Sequence, residues 1–304
     1  MDLPGRVRAD WHRQTPETEL ALVARSAPTE RQRRLGAELR KMRQAAGMTT
    51  EYAAGLLGVP RTNIPNMESG RAPVSADRVR TLASNYGCTD QGYVEALANM
   101  AGDRTKGWWK DYRGRLPVGL LDIAELEWHA RGLRLILSVH LPGLLQTEDH
   151  ARAVFEAVIP PLPKADIDVR LAHRVDRQRI LGRTDPPLLD VIIHEAALRM
   201  QFGGVAVARR QLGELLVASE RENVTLRLIP FRAGAFPGAG QSVTYLEADV
   251  PQLDTVELDS THGPEFIDSE MQLRKYQAHL SAAESVALAP GASRDFLHSL
   301  INDL

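Results

Sequence analysis

The sequence of 304 residues contains one cysteine, Cys88, and only 5% aromatic residues. A single cysteine excludes an intrachain disulfide and a zinc site made of cysteines, which suits a reducing cytoplasm. The longest apolar run, residues 133–141, is interrupted by polar side chains and is far shorter than the roughly 20 residues that cross a bilayer. The N-terminal stretch MDLPGRVRADWHRQ lacks the apolar segment of a secretory signal, so we expect a cytoplasmic protein without membrane spans.

Common catalytic signatures are also missing. The sequence has neither the Gly-x-Ser-x-Gly of hydrolases nor the Gly-x-Gly-x-x-Gly of dinucleotide-binding folds. HEAAL, residues 194–198, begins like the HExxH zinc motif, but Leu198 occupies the second histidine position. His129, His140 and His150 fall on different predicted elements and lack the spacing of metal ligands. We therefore expect no enzyme: no catalytic residue, no metal and no cofactor.

The net charge of −2 is unevenly distributed along the chain. Residues 31–90 contain ten lysines and arginines against five acidic residues, whereas residues 91–304 carry an excess of six negative charges. Such an asymmetry is typical of a protein in which one part meets nucleic acid and the other does not. We therefore expect the basic part to contact DNA.

The periodicity of the apolar residues predicts an α+β protein of two domains, since single cores rarely grow beyond about 250–300 residues. We expect a flexible arm over residues 1–30, an all-α helix-turn-helix domain over 31–100, a linker over 101–117 and an α+β domain over 118–304. The GWWKDY of the linker is interpreted as an aromatic plug on the second domain. Strand patterns that follow one another without helices predict a mixed, largely antiparallel sheet.

The first domain is predicted to contain five helices, over about 31–46, 50–57, a part of 60–69, 76–86 and 90–100, with Ser75 and Thr89 as caps of the last two. In the second domain, helical patterns occur at about 118–131, 147–159, 164–182, 205–220, 268–286 and 292–303. Strand patterns occur at 133–140, 187–194, 223–231, 241–248 and 254–260.

The segment from Thr50 onward has the spacing of a helix-turn-helix. The motif requires a small residue where the helices touch, a glycine in the turn and apolar residues that seat the second helix on the first. With Thr50 as the first position, these residues are Ala54, Gly58, Val59, Ile64 and Met67. Chance matches to one or two positions are common, but a match at every position is a specific signal.

Pro65 lies where the second helix of the motif should be well under way. A proline inside a helix costs about 3 kcal/mol, but it is harmless in the first turn, where the N–H groups have no partners. If Thr62 or Asn63 is the N-cap, no hydrogen bond is lost. We therefore predict that the recognition helix begins about one turn after Val59, with a kinked helix as the alternative.

The late start leaves residues 60–63, PRTN, as an extended segment at the DNA groove. Arg61, Thr62, Asn63 and Asn66 are the polar side chains predicted to reach base edges or phosphates. The alternative is a solvated helix face. Arginine and asparagine are the residues that grip guanine and adenine in the major groove, which favours the DNA-binding interpretation.

LGAELRKMRQAAGMTTEYAAGLLGVPRTNIPNMESGR, residues 35–71, resembles the lambda-repressor-like, Xre-type regulators. The resemblance implies a compact five-helix fold that binds double-stranded DNA. It also implies an ion pair between Arg43, late in the first helix, and Glu68, at the end of the recognition helix. The family's usual glutamine at the start of the second helix is replaced by Thr50, which has a shorter reach to a phosphate. Thr50 and Arg71 complete the candidate DNA-binding set.

Four segments of the second domain resemble the C-terminal domain of a large, antitoxin-like actinobacterial regulator family, in which an Xre-type domain precedes a domain of unknown function. They are GWWKDY, LPGLLQTEDHARAV, HEAALR and NVTLRLIPFRAGAFPG. The resemblance implies a small partner protein as a possible ligand and supplies no catalytic residues.

The sequence therefore predicts a sequence-specific transcriptional regulator whose C-terminal domain binds an effector or a small partner protein. The alternative is an antitoxin-like protein that acts mainly by binding its partner, with DNA binding for autoregulation. We expect a homodimer formed through the acidic part, because one helix-turn-helix reads only a few base pairs.

Overall fold

The computed structural model describes residues 27–103, 105–234, 236, 238, 241–260 and 262–304. Residues 1–26, most of the predicted flexible arm, lie outside the described residues. Within the predicted arm, Thr29 caps the first helix and Glu30 begins it. The Thr29 side chain accepts from the Gln32 N–H, and the Gln32 side chain accepts from the Thr29 N–H. No helix in the described part is long and apolar enough to cross a membrane.

Five helices form the N-terminal domain: α1 (Glu30–Ala45), α2 (Thr50–Leu57), α3 (Asn63–Glu68), α4 (Ala76–Asn85) and α5 (Gln91–Gly102). Leu39, Ile64, Val79 and Leu97 are each at most 1% exposed, and they bring four of these helices into one apolar core. The cap predicted at Thr89 is wrong. Asp90 caps α5 by accepting from the Tyr93 N–H at 3.0 Å, since its carboxylate stands one residue closer to the free N–H groups.

The segment between the two domains contains a short 3-10 helix, Trp108–Tyr112. Trp109 is 3% exposed and packs against the rings of Trp128 and His129. Trp108 and Tyr112 pack against His173. The aromatic plug predicted from GWWKDY is therefore present, and it seats the linker on the second domain.

The second domain is built on a six-stranded sheet in the order β3-β2-β1-β4-β5-β6. The strands are β1 (Gly132–Leu137), β2 (Leu188–His194), β3 (Val224–Ile229), β4 (Val243–Glu247), β5 (Thr255–Ser260) and β6 (Gly263–Ile267). β1 pairs in parallel with β2, and β2 with β3, whereas the other three neighbouring pairs are antiparallel. The mixed α+β architecture predicted from the sequence is confirmed.

The helices of this domain are α6 (Val118–His129), α7 (Glu148–Glu156), α8 (Lys164–Gln178), α9 (Glu195–Arg199), α10 (Val205–Ala218), α11 (Glu270–Val286) and α12 (Pro290–Asp303). Alternate residues of each strand face opposite sides of the sheet. Leu133, Leu135 and Leu137 share a core with α10 and α12, whereas Ile136 shares one with α11. The sheet is therefore covered on both faces.

β6 and α9 were not predicted. β6 contains Gly263 and Pro264, which are poor strand formers, and it lies at the sheet edge where proline is tolerated. α9 has five residues, too few for a helical period to show. Both elements depend on the neighbouring sheet rather than on local pattern.

Helix α1 also contacts the second domain. Leu253, between β4 and β5, is 7% exposed and joins the core of the first five helices. Arg34 is 4% exposed, and its Nη2 donates to the Gln252 carbonyl at 2.6 Å. Its Nη1 lies 3.2 Å from Asp268 Oδ2. The two domains thus share apolar packing and buried charge.

Candidate nucleic-acid interface

Helices α2 and α3 pack together through the residues that the helix-turn-helix spacing predicted. Ala54 and Ile64 are 3% and 1% exposed, and Met67 is 8% exposed, so all three lie in the core. Gly58 ends α2 with φ +62°, a left-handed conformation that glycine adopts without steric cost. The Val59 N–H donates to the Ala54 carbonyl at 3.1 Å and closes the turn.

Pro65 is the third residue of α3, which follows Thr62 and begins at Asn63. Backbone hydrogen bonds flank the proline on both sides: Asn66 N donates to Thr62 O at 3.3 Å, and Ser69 N donates to Pro65 O at 3.0 Å. The missing N–H of Pro65 would belong to the first turn, where intrahelical partners are lacking. The structure therefore contains the late-starting helix and not the kinked one.

The extended segment predicted for residues 60–63 is wrong. These residues form a tight turn in which Asn63 N donates to Pro60 O at 2.9 Å and Ile64 N donates to Arg61 O at 3.3 Å. Thr62 has helical dihedral angles, and its side chain makes no capping hydrogen bond. The turn uses backbone carbonyls to satisfy N–H groups that a side-chain cap would otherwise take.

The predicted DNA-binding residues are all at least partly exposed. Arg61, Thr62 and Asn63 are exposed, and Asn66 is half-buried one turn later on α3. Thr50 is half-buried in the first turn of α2, where Thr49 is the cap and accepts from the Tyr52 N–H at 3.2 Å. Arg71 is exposed just after α3.

Arg61 is held by a neighbour on α2. Its Nη1 lies 2.6 Å from Glu51 Oε1, and the two side chains are 67% and 56% exposed. An exposed ion pair of this kind contributes about 0–1 kcal/mol. Arg61 can therefore exchange Glu51 for a phosphate or a guanine edge at little cost.

Arg43 and Glu68 connect the end of α1 with the end of α3. Arg43 Nε donates to Glu68 Oε1 at 2.5 Å and Nη2 donates to Oε2 at 3.0 Å, while Nη1 donates to the Met48 carbonyl at 2.6 Å. The side chains are 10% and 8% exposed. The hydrogen bond to Glu68 raises the pKa of Arg43, and burial raises the pKa of the nearby Tyr86 to about 12. The Arg43–Glu68 ion pair therefore lies beside the neutral phenol of Tyr86.

Most basic residues of the first domain have acidic partners within the protein. Seven of the ten lysines and arginines in residues 31–90 form ion pairs with described residues, and the exceptions are Arg40, Arg71 and Arg78. On α1, Arg33 reaches Asp122 and both Arg34 and Lys41 reach Asp268 of the second domain. The charge asymmetry thus reflects the contact between the domains as well as any contact with DNA.

Tyr52 is a candidate that the sequence analysis did not include. It lies in the first turn of α2, two residues after Thr50, and its side chain is 58% exposed. Its tyrosine hydroxyl is a donor that can reach a phosphate. The signal available in the sequence was its position in the first turn of the first motif helix.

The HEAAL segment has a structural role. His194 Nδ1 accepts from the Ala196 N–H at 3.2 Å and caps α9. Glu195 is 6% exposed, accepts from the Phe231 N–H at 2.8 Å and pairs with Arg199 at 2.6 Å. These contacts hold the ends of β2 and β3 together.

The three histidines considered as ligands do not form one group. His140 and His150 both pack on the Phe202 ring, with centroids 5.5 and 5.6 Å away. His129 lies on α6, where its Nε2 is 3.3 Å from Asp103. Burial lowers the pKa of His150 and of His129 to about 4, so both are neutral at pH 7.

Comparisons with known proteins match both parts of the chain. Residues 34–97 match a helix-turn-helix domain, and residues 120–299 match a domain of unknown function, DUF5753. The chain is similar to the HTH-type transcriptional regulator DdrOP3 of Deinococcus deserti, with 32% identity over 85 residues. That alignment spans 28% of the chain and 60% of the relative's length. No solved structure matches the chain.

Proposed function

The chain belongs to the DUF5753 family and carries an N-terminal helix-turn-helix domain, and we propose that it is a sequence-specific transcriptional regulator. The observation that carries the proposal is the start of α3: Arg61, Thr62 and Asn63 are exposed over a helix-turn-helix whose core positions are buried. The similarity to a transcriptional regulator over 85 residues of the chain supports it.

In this proposal α3 enters the major groove with its N-terminal end leading. Arginine pairs bidentately with guanine and asparagine with adenine, so Arg61 and Asn63 read base edges. Thr50, at the start of α2, and Arg71, which follows α3, contact phosphates. In this proposal the protein acts in the cytoplasm by binding DNA and catalyses no reaction.

The proposal is tested by selecting binding sites from random double-stranded DNA with the full-length protein. We expect one enriched motif, and we expect Arg61→Ala with Asn63→Ala to lose the enrichment while the thermal melting temperature stays unchanged. Arg221→Ala is the matched control, because Arg221 is an exposed arginine of the second domain without an ion pair among the described residues. Enrichment of the same motif by the double variant would overturn the assignment.

The second domain is proposed to join two copies of the chain. Related regulators place two helix-turn-helix domains on half-sites about one helical turn, or a multiple of it, apart. Since α1 is tied to the second domain by Arg33 and Arg34, a dimer made by that domain would set the spacing of the two α3 helices. Light scattering should give about twice the monomer mass of 33.6 kDa.

Effector or partner binding is proposed for the second domain as well. The full-length protein, purified from its native cell without denaturation, is examined by mass spectrometry for bound molecules. A small protein present in equal amount would support the antitoxin-like alternative, in which DNA binding serves autoregulation. A bound small molecule would support the proposal that the second domain binds an effector.

A further inference from the structure

We infer that the cleft between the helix-turn-helix domain and the second domain binds a phosphate monoester with a hydroxyl-bearing organic body. The cleft has a volume of about 540 Å³, within the range of about 300–1,000 Å³ that is typical of small-molecule sites. The site follows from the geometry alone. Its effect on DNA binding rests on the proposed function.

Both domains contribute to the walls of the cleft. One wall comes from the start of α1, from Met67 of α3 and from the residues that follow α3, including Arg71. The other lining residues come from the linker, with Lys110 and Arg113, and from α6, with Glu125 and His129. A molecule in the cleft therefore touches both domains at once.

The described lining residues have more positive than negative charge. The four cations are Arg31, Arg71, Lys110 and Arg113, and the two carboxylates are Asp103 and Glu125. Burial, followed by the charge of Arg31, lowers the pKa of His129 to about 4, so this side chain adds no charge at pH 7. A phosphate monoester carries about −1.5 to −2 charges at that pH, which matches the surplus.

Two of the four cations have hydrogen-bond partners within the protein, and two have none. Arg31 donates to the Met100 carbonyl at 3.0 Å, and Lys110 donates to the Thr105 carbonyl at 3.0 Å. Arg71 and Arg113 have no ion pair or side-chain hydrogen bond within the part of the chain that the structure describes. A guanidinium group binds a phosphate through two parallel hydrogen bonds, so these two arginines are the proposed phosphate ligands.

The rest of the cleft indicates what the phosphate is attached to. The volume is much larger than a bare phosphate needs, and Leu35, Met67 and Val74 supply an apolar wall. Glu125 Oε2 is buried without a hydrogen-bond partner among the described residues. A buried acceptor of this kind is costly unless a donor reaches it, and a ligand hydroxyl would supply the donor.

The cleft is connected to the recognition helix by direct backbone packing. A Cβ atom at Gly36 of α1 would lie 2.6 Å from the carbonyl oxygens of Met67 and Glu68. A Cβ atom at Gly70 would lie 2.9 Å from the Gln32 carbonyl oxygen. Since Arg71 is also a candidate contact to DNA phosphates, a phosphate bound in the cleft would compete for it. The ligand is therefore expected to lower operator affinity.

The test uses the full-length protein and isothermal titration calorimetry with AMP, with adenosine as the uncharged control at the same ionic strength. We expect saturable AMP binding with a Kd of about 1 mM or lower and no binding of adenosine. Arg113→Ala and Arg71→Ala should each weaken AMP binding by about tenfold or more. The exposed arginine variant Arg221→Ala should bind AMP as the original protein does.

The absence of saturable AMP binding, or equal binding by an Arg71→Ala, Arg113→Ala double variant, would overturn the site. If Arg113→Ala weakened only DNA binding, the arginines would serve the DNA backbone and the ligand proposal would fail. Operator binding is measured separately. AMP binding by a protein that selects no DNA motif would defeat the proposed function and leave the cleft site intact.

Discussion

Arg43 and Glu68 form a two-pronged ion pair at 2.5 and 3.0 Å that ties the last turn of α1 to the last turn of the recognition helix. Both side chains are about nine-tenths buried. The carboxylate of Glu68 thus fixes the C-terminal end of α3, whereas Arg61 lies in the turn before its N-terminal end. The orientation of α3 therefore depends on a buried contact at its C-terminal end.

Removal of one partner of this pair should be more harmful than removal of both. A buried charge left alone costs about 3–5 kcal/mol, whereas an apolar replacement of both partners is often nearly neutral. We expect Arg43→Met and Glu68→Leu each to destabilise the protein by several times as much as the double variant does. Urea unfolding of the four proteins of the cycle measures the coupling, and additive effects would show that the pair contributes no mutual stabilisation.

Pro65→Ala should change the free energy of unfolding by less than about 1 kcal/mol. Pro65 is the third residue of α3, where the proline displaces no intrahelical hydrogen bond, so alanine has little to restore. Chemical denaturation of the two proteins measures the difference. A gain of about 3 kcal/mol in the variant would indicate a strained proline, contrary to the geometry of the turn at residues 60–63.

Arg61→Ala and Asn66→Ala should each weaken binding to the selected operator by about 1–3 kcal/mol. Both residues are on α3 or in the turn before it, and neither contributes to the buried core, so the melting temperature should hold. Fluorescence anisotropy at fixed salt provides the affinities. Unchanged affinity in both variants would remove these side chains from the interface.

Arg34→Met should weaken the contact between the two domains. Arg34 is 4% exposed and reaches Gln252 and Asp268 of the second domain, and methionine can fill the space but not the charge. We expect a loss of about 3 kcal/mol and a broader or divided calorimetric transition. Arg40→Met, an exposed position on the same helix without an ion pair among the described residues, is the control. Identical melting of the two variants would contradict a role of Arg34 in holding the two domains together.

The buried histidines should lower the stability of the protein as the pH falls from 6.5 toward 4, against the opposite contribution of Glu257, whose pKa burial raises to about 7. Burial lowers the pKa of His150 from 6.5 to about 4, so the unfolded chain binds a proton in that interval and the folded chain does not. The stabilisation is complete above pH 6.5 and is lost as the pH falls. His129 and His173 act in the same direction, with pKa values lowered by burial to about 4 and about 3.

His150→Leu should flatten this pH dependence. Both ring nitrogens of His150 are buried without a hydrogen-bond partner among the described residues, so leucine should also preserve or raise stability at pH 7. Denaturation at pH 7 and pH 5 measures the slope, with the exposed His298→Leu as control. An unchanged slope in His150→Leu would assign the pH dependence to other groups.

The sequence by itself determined the helix-turn-helix. Ala54, Gly58 and Ile64 act within one stretch of about 20 residues, where helix geometry converts spacing directly into contact. The late start of α3 also follows from sequence, because the effect of Pro65 on the helix is local. Most helices and strands of the second domain were predictable for the same reason, since apolar periodicity reflects the face that each element buries.

Only the tertiary structure determined which acidic residues pair with the basic side chains of α1. Arg33, Arg34 and Lys41 are ordinary basic residues in the sequence, and their positive charge suggested DNA. The fold instead places Asp122 and Asp268 against them, although these acids are far away along the chain. Coulomb interactions depend on distance in space, and burial strengthens them, so sequence spacing carries no signal of such partners. The cleft that Arg71 and Arg113 both line exists for the same reason, because two distant segments form it only once both domains are packed together.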